Sequence, residues 1–395
     1  MPNRNITKLQ DIAGRDTCRV IGLMSGTSLD GLDIALCDIT GHGLETKVDL
    51  IEFSTMPYSG LQKEKLREVF SVRNVDLEHL CVYNAWLGDL HGEMILEALK
   101  SWNTDPGTID FIASHGQTSY HAPASKHGMD SMPNATLQIG DGDHMAVKTG
   151  IITVSDFRQK HTAAGGEGAP LAGYVDGLLF FERGKRRVLL NIGGIGNITW
   201  LDGTRPDHST LITDTGPGNT LIDARVHHFF PDLSYDVDGA IAKKGKVSKA
   251  LLDVLKSDAF FGLPLPKSTG PEYFNHEFIE NALKQAGKEI STEDQIATLT
   301  QLTAETIADV VREVSKGQSC ELYTSGGGCH NPAIMHALRD NLPFAIIYPF
   351  EKLGMNPDAK EAIIFAILAN ETLRGEGIRF SKDRNLSLGK VSFPD

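Results

Sequence analysis

Positive charge is what this chain of 395 residues is short of, and the shortage narrows its possible partners. Its 38 lysines and arginines face 51 aspartates and glutamates, for a formal charge of −13. So acidic a sequence excludes an extended nucleic-acid groove or an anionic membrane surface as partner. Long apolar runs are missing too, since none nears the roughly 20 residues that a membrane-spanning helix needs. The opening Met1-Pro2-Asn3-Arg4-Asn5 leads into polar sequence without the apolar core of an export signal, so a cytoplasmic location is expected. Cysteine is scarce. Cys18, Cys37, Cys81, Cys320 and Cys329 are odd in number and lack C-x-x-C spacing, which reads as buried or incidental thiols in a reducing compartment. The 14 histidines form no H-E-x-x-H pair, so no zinc signature is present. A P-loop is absent as well, because Gly245-Lys246 and Gly317 lack its spacing, and no G-x-G-x-x-G follows the first strand.

What is there begins with a composition of 41% hydrophobic and 23% charged residues, that of a globular protein long enough for about two domains. The most informative feature is a glycine-rich hairpin that occurs twice. Val20-Ile21-Gly22-Leu23-Met24 leads through Ser25-Gly26-Thr27-Ser28-Leu29-Asp30-Gly31 into Leu32-Asp33-Ile34-Ala35-Leu36-Cys37. Val188-Leu189-Leu190-Asn191-Ile192 leads likewise through Gly193-Gly194-Ile195-Gly196-Asn197 into Ile198-Thr199-Trp200-Leu201. Each is an apolar run, a small polar tip and a second apolar run, the pattern of a strand pair with a tight turn. Glycines let main-chain N–H groups converge on an anion, and hydroxyls add donors without bulk. One such hairpin is an ordinary turn; two suggest two lobes gripping one polyphosphate. A third glycine run, Gly326-Gly327-Gly328, follows the apolar Leu322-Tyr323.

The remaining pattern alternates strands and helices, which indicates an α/β fold with mixed sheets. A third strand is expected at 48–53, then a helix from about Ser59 and a longer one over 76–102, whose apolar residues recur near 3.6-residue spacing. Asp110–Ala113 reads as a buried strand ending in Ser114-His115-Gly116-Gln117-Thr118, followed by a loop over 119–136. Another strand ends at Ser155-Asp156-Phe157-Arg158, and 161–169 reads as a glycine loop before Pro170, a favoured early-helix residue. A helix over 292–316 is capped by Ser291 and stopped by Gly317, strand 320–325 reaches the triple glycine, and an apolar helix covers 358–373. The expected division is an N-terminal lobe of 1–155, on which the 358–373 helix packs back, and a C-terminal lobe of 156–395.

Several residues stand where chemistry is possible. Asp214 follows Leu211-Ile212-Thr213 at an expected strand end, and Gly216-Pro217-Gly218 then bends the chain into a helix at about 219–229. It is either the cap of that helix or a base that takes a proton from an attacking nucleophile, as phosphoryl transfer requires. His115 is a base, a substrate contact or a structural histidine. Asp156 and Arg158 form a salt bridge or meet a sugar or carboxylate, Glu167 meets a sugar hydroxyl or solvent, and Lys267 approaches phosphate or stands exposed in a Pro/Gly turn. Glu361 opens the last helix, where the dipole alone favours a carboxylate.

Taken in order, Met24–Asp33, Ser114–Thr118, Asp156-Phe157-Arg158, Ala164–Leu171, Asn191–Gly194, Asp214–Asn219 and Gly326–Gly328 resemble the motifs of the 1,6-anhydro-N-acetylmuramic acid kinases, over about residues 19–392. The resemblance implies a two-lobed actin/hexokinase/Hsp70-like (ribonuclease H-like) fold with ATP and sugar in an inter-lobe cleft. It implies ATP, Mg²⁺ and water as reactants, opening of the 1,6-anhydro ring, phosphorylation of O6 to N-acetylmuramate 6-phosphate in peptidoglycan recycling, and a homodimer. Asp214 matches the catalytic base and a metal-side carboxylate, with Glu361 as a second. The ATP loop corresponds to Gly26, Thr27, Ser28, Leu29, Asp30, Gly31, Leu32 and Asp33, with Gly193, Gly194, Gly326, Gly327 and Gly328 completing the nucleotide site. His115, Gln117, Asp156, Arg158, Gly166 and Glu167 correspond to the sugar side. Two departures stand out: Glu167 replaces a common Gln, and Pro271 stands where an Arg is common. Levoglucosan kinase shares fold and motifs, so a levoglucosan-type sugar is the alternative substrate. A non-catalytic sugar- or ATP-sensing regulator is the alternative of another class, disfavoured by the acidic charge and the intact Asp214.

Overall fold

A computed structural model describes residues 3–205, 210–381 and 384–395. Two compact units emerge, Met1–Leu179 with Asp358–Asp395, and Phe180–Pro357. The division therefore falls later than 155/156, and the C-terminal segment belongs to the first unit. Two contacts account for this. Arg158 donates from Nε to His115 Nε2 at 2.9 Å, and Asp176 pairs with Lys360 at 3.0 Å, so both segments after 155 are tied to the first unit's own elements.

In the first unit, β1 (Thr17–Ser25), β2 (Gly31–Thr40) and β3 (Lys47–Pro57) form an antiparallel meander. β4 (Phe111–Ala122) then lies parallel to β1 on its other side. β5 (Ala135–Ile139) pairs antiparallel with the far end of β4, and β6 (Thr153–Ser155) runs parallel to β4. The strand Lys390–Ser392 closes this edge antiparallel to β6, giving the order β3-β2-β1-β4-β6 and then the C-terminal strand. Ser114–Thr118 thus lie inside β4 rather than after it, and the expected loop over 119–136 is shorter. Period-2 burial is hidden there because Phe111–Gln117 are buried on both faces, as parallel strands covered on two sides are.

One face of this sheet is covered by the helix Leu77–Ser101, capped by Asp76 on the N–H groups of Glu78 and His79. Its Leu87, Met94, Ile95 and Leu99 share a core with Ile21, Leu23, Ile34, Ile112 and Ile139. The helix Lys360–Leu373 contacts β1, β2 and β4, and Ala362 through Glu371 are all buried. A helix apolar all round requires such burial. Its polar members are satisfied: Glu371 accepts from Gly43 N at 2.8 Å, and Asn370 donates to Gly41 O at 3.1 Å. The β2–β3 connection is thereby fastened to the C-terminal helix.

The second unit repeats the path. β7 (Arg186–Ile192), β8 (Ile195–Asp202) and β9 (Thr210–Pro217) form the antiparallel meander, and β10 (Cys320–Ser325) and β11 (Ala345–Pro349) extend it in parallel beyond β7. The order β9-β8-β7-β10-β11 matches β3-β2-β1-β4-β6 strand for strand. The helix Thr292–Ser315 runs through the core of this unit with Ile296, Leu299, Leu302, Ile307 and Val311 buried. Ser291 caps it from the side chain to Asp294 N, and Lys316 and Gly317 end it with positive φ. Among the described residues no helix is long and apolar enough to cross a membrane.

Gly22 carries the closest approach of sheet to helix. A Cβ there would lie 2.0 Å from Ala362 O and 3.1 Å from Ala366 Cβ. Gly22→Ala must push the C-terminal helix off β1, an overpacking that costs about 1–3 kcal/mol. The expected outcome is a lower urea midpoint for the variant. A midpoint equal to that of the unsubstituted protein would show that this contact has slack.

Candidate active site

In the second unit, three sequence motifs meet through the backbone. The hairpin tip turns its carbonyls toward the start of the helix Thr220–Phe229. Gly218 N donates to Gly194 O at 2.8 Å, Asn219 N to Gly193 O at 2.8 Å, and Thr220 Oγ1 to Gly194 O at 2.7 Å. Side chains have no room here: a Cβ on Gly218 would lie 2.3 Å from Gly193 O. Thr303 of the long helix fixes the same point by donating from Oγ1 to Gly218 O at 2.7 Å. The glycine run closes the third side, where Gly326 and Gly328 would collide with Asn191 and Ile192 if either carried a Cβ. Asn219 Nδ2 donates to Ile192 O at 3.3 Å. Gly193, Gly194, Gly326, Gly327 and Gly328 are thus assembled into one glycine-walled junction at a helix start, whose first N–H groups are taken by the hairpin carbonyls.

Asp214 lies within β9, not at its end, and it does not cap the following helix. Asn219 is the N-cap, without a side-chain cap bond. The Asp214 carboxylate is instead held by the segment after Pro266. Its Oδ2 accepts from Thr269 N at 2.8 Å and from Ser268 Oγ at 3.2 Å, while its own N–H donates to Lys267 O at 2.9 Å. Partial burial raises its pKa above the usual carboxylate range, against the lowering by those two donors. Lys267, considered from sequence as a phosphate contact, points elsewhere. Its Nζ donates to Phe260 O and Phe261 O at 3.1 Å each and lies 4.7 Å from the Phe260 ring centroid.

Beside the junction is a recess of about 440 Å³ lined by Asn219, Ile222, Asp223, Tyr235, Asp236, Val237, Asp238, Gly327, His330 and Asn331. Apart from Asn219 and Gly327, sequence reasoning missed this lining. The signal was Tyr235-Asp236-Val237-Asp238-Gly239, carboxylates at alternate positions before a glycine. Asp236 accepts from Ile241 N at 2.8 Å and Ala242 N at 3.0 Å, which folds the segment into a cup. Burial and then Asp236 push the Asp223 carboxyl up to about 6.

The first unit holds the other hairpin through a chain of buried hydrogen bonds. His91 Nε2 meets Tyr58 OH at 2.7 Å, Tyr58 OH meets Ser25 Oγ at 2.8 Å, and Ser25 Oγ donates to Gln117 Oε1 at 2.6 Å. Gln117 Nε2 then donates to Gly26 O at 3.3 Å. Burial pushes His91 down to about 3, so it stays neutral. Gln117, assigned to the sugar side by resemblance, has its amide committed to the hairpin. At the tip Thr27, Ser28 and Asp30 are exposed, whereas Leu29 is buried with φ of 56° and Leu32 is wholly buried. Gly31 is required where β3 crosses, since a Cβ would lie 2.3 Å from Met56 O.

His115 is buried, with its ring 4.7 Å from Phe365. Burial, then the neighbouring Arg158, holds its pKa well below normal. Its Nε2 accepts from Arg158, which makes it a support for that guanidinium. Arg158 also donates from Nη1 to Gly168 O at 2.8 Å, and burial brings its pKa down to about 10. Asp156 does not pair with Arg158: its carboxylate meets Lys390, and its backbone adopts φ of 57°. The helix Phe157–Ala163 takes in His161, so the glycine loop begins at Ala164, and Pro170 precedes rather than opens the next helix, Ala172–Phe180. His161 Nδ1 accepts from Gly168 N at 2.8 Å, and a Cβ on Gly166 would strike the same ring at 2.3 Å. Glu167 stands exposed on this loop, near enough to His121 to raise its pKa against the effect of burial. Glu361 has neighbours on several sides; desolvation first and Asp33 second raise its pKa, while Lys360 and Arg158 oppose them. Burial and then Asp358 raise Asp33, although Thr55 Oγ1 donates to it at 2.6 Å. The structure therefore gathers Glu361, Asp33 and Arg158, and puts Asp214 in the other unit.

A repeated strand order, each copy opened by a glycine hairpin, makes this a duplicated α/β protein. Comparison with known proteins gives the family: residues 18–377 match the profile described as anhydro-N-acetylmuramic acid kinase. A protein of that description from Pseudoalteromonas atlantica is 48% identical over 400 residues, covering 100% of both chains. Another from Caldanaerobacter subterraneus is 40% identical over 93% of this chain and 94% of its own. The chain belongs to the anhydro-N-acetylmuramic acid kinase family. Solved structures are more distant. The activator of 2-hydroxyisocaproyl-CoA dehydratase from Clostridium difficile, with bound ADPNP, aligns over 90% of this chain and 95% of its own at 12% identity and a TM-score of 0.41.

The Asp214 environment is directly testable. Ser268→Ala removes one of the two donors that stabilise the ionised carboxylate, so the pKa of Asp214 should climb further above the ordinary range. A carbon-detected NMR titration of the carboxyl, run on both proteins, measures this. An unchanged titration in the folded variant would mean that Ser268 does not support the charge.

Proposed function

We propose that this kinase opens the ring of 1,6-anhydro-N-acetylmuramate with water and phosphorylates O6 from ATP, giving N-acetylmuramate 6-phosphate and ADP. The observation that carries the reading is the held carboxylate of Asp214. Oδ2 is anchored by Thr269 N and Ser268 Oγ, which leaves Oδ1 to accept a proton without the group swinging away. Phosphoryl transfer asks for such a positioned base and otherwise for alignment and charge stabilisation. In the proposed step Asp214 takes a proton from water as its oxygen bonds to the anomeric carbon. The bond from that carbon to O6 breaks, O6 bonds to the γ-phosphorus, and the bridging oxygen leaves with ADP.

The nucleoside occupies the recess beside Asn219 and Gly327, and the glycine tip at 193–194 holds phosphate. Arg158 takes the lactyl carboxylate, because its Nε and Nη1 are already fixed and Nη2 is left for a planar partner. The lactyl group is what levoglucosan lacks, and this favours the muramate over that alternative. Glu167, Gly166 and Asp156 border the sugar.

Among the described residues no three His, Cys, Asp or Glu side chains form a ready metal cage. Mg²⁺ needs none, since it commonly binds one or two carboxylates together with substrate phosphates and water. The raised carboxyl of Glu361, with Asp33 as its second cause after desolvation, fits a place where a hard cation is welcome. Bound there, or at Asp214, it would neutralise phosphate charge. The cytoplasm and a role in peptidoglycan recycling complete the proposal, together with a homodimer.

Turnover assays with Mg-ATP and either anhydro-N-acetylmuramate or levoglucosan test the substrate. The muramate should be used far better, and equal efficiency on levoglucosan would overturn the assignment. Asp214→Asn should lower kcat by about 10²–10⁴ while ATP binding survives, because the glycine tips are untouched. Near-normal kcat would remove Asp214 from the chemistry.

A further inference from the structure

The recess in the second unit has an unusual charge balance for a neighbour of a phosphate site. Three carboxylates line it, Asp223, Asp236 and Asp238, and among the described lining residues there is no lysine or arginine. Such a wall repels phosphate and attracts an uncharged group rich in hydrogen-bond donors. The three carboxylates are not equivalent. Asp236 has given both oxygens to the N–H groups of Ile241 and Ala242. Asp238 stands exposed at the rim. Asp223 is half-buried, and its carboxylate has no hydrogen-bond or ion-pair partner among the described residues. A half-buried carboxylate left unpaired is costly, so a ligand that donates to it gains what the protein leaves unsupplied.

Its place on the helix identifies that ligand group. Asn219, at the glycine junction, and Asp223 are four residues apart, one turn of helix and about 5–6 Å along the same face. The part of a nucleotide one step beyond the phosphates is the ribose, whose vicinal hydroxyls present two parallel donors to the two oxygens of one carboxylate. We propose that Asp223 is the residue that selects ribonucleotides, accepting hydrogen bonds from the 2′- and 3′-hydroxyls. This rests on the assignment of the recess to the nucleoside. The base then lies against Ile222 and Tyr235.

Steady-state kinetics with ATP, 2′-deoxy-ATP and 3′-deoxy-ATP, on the unsubstituted protein and on Asp223→Ala, Asp238→Ala and Gly327→Leu, test the proposal. The unsubstituted protein should show a KM for either deoxynucleotide roughly tenfold to a hundredfold above that for ATP, the value of a lost bond to a charged group. Asp223→Ala should raise the KM for ATP by a similar factor and leave that for the deoxynucleotides nearly unchanged, abolishing the discrimination. Asp238→Ala should retain it. Equal KM values for all three nucleotides on the unsubstituted protein would overturn the proposal. So would an Asp223→Ala variant that still discriminates. Gly327→Leu separates this from the underlying assignment. The nearest atom to a Cβ at Gly327 is Asn219 Nδ2 at 3.9 Å, so a Cβ there meets no clash and the larger side chain should obstruct the recess for every nucleotide alike. Normal ATP kinetics in that variant would show that the recess does not hold the nucleoside at all.

Discussion

The contact of Gly218 with the carbonyl of Gly193 is the constraint on which the second unit's chemistry depends. At that point main chain meets main chain with no space for a Cβ, and the carbonyls of the hairpin tip take up the first N–H groups of the helix Thr220–Phe229. The helix start is therefore fixed to the sheet through backbone alone. β9 carries Asp214 on one side of this contact, and the helix carries Asp223 on the other. Thr303 ties the junction to the most buried helix of the unit through Gly218 O. A shift of the long helix would move the junction and both carboxylates together.

The first unit reaches a similar result by different means. Its hairpin is held by side chains: His91, Tyr58, Ser25 and Gln117 form a buried relay that ends on Gly26 O. Each member bonds to the next, although His91 Nδ1 at the far end has no hydrogen-bond partner among the described residues. The consequence for function is that Gln117 supports the loop. His115 likewise supports Arg158, so two residues of one short motif position other groups. The polar residues inside β4 thus carry a second tier of structure behind the exposed tip residues.

Local charge also departs from the global balance. The chain is strongly acidic, yet it buries the Arg158 guanidinium, which is kept in place by His115 and the Gly168 carbonyl. Where carboxylates crowd, desolvation and then a neighbouring carboxylate raise the pKa of one member: Asp33 acts on Glu361, and Asp236 on Asp223. These are places where a cation or a donor-rich ligand is stabilised.

Much of this was legible in the sequence because it depends on neighbours in the chain. The hairpins, the Ser291 cap, the stop at Gly317 and the strand before the triple glycine follow from local periodicity and turn chemistry. So does the convergence of glycines, in kind if not in partners. What tertiary structure decided was whatever depends on contacts distant in sequence. The apolar helix over Lys360–Leu373 and its return to the N-terminal lobe are expected, but the contacts at Gly22, Gly41 and Gly43 that seat it belong to the tertiary structure. Ser114–Thr118 read as a strand end because buried polar residues break an apolar run; relay bonds to Ser25 and Gly26 keep them in β4. The cap reading of Asp214 was removed by its bonds to Ser268 and Thr269, far along the chain and with no local signature. Asp223 passed unnoticed for the same reason: a lone carboxylate in a helix acquires meaning only when Asp236, Asn331 and a glycine loop are folded around it.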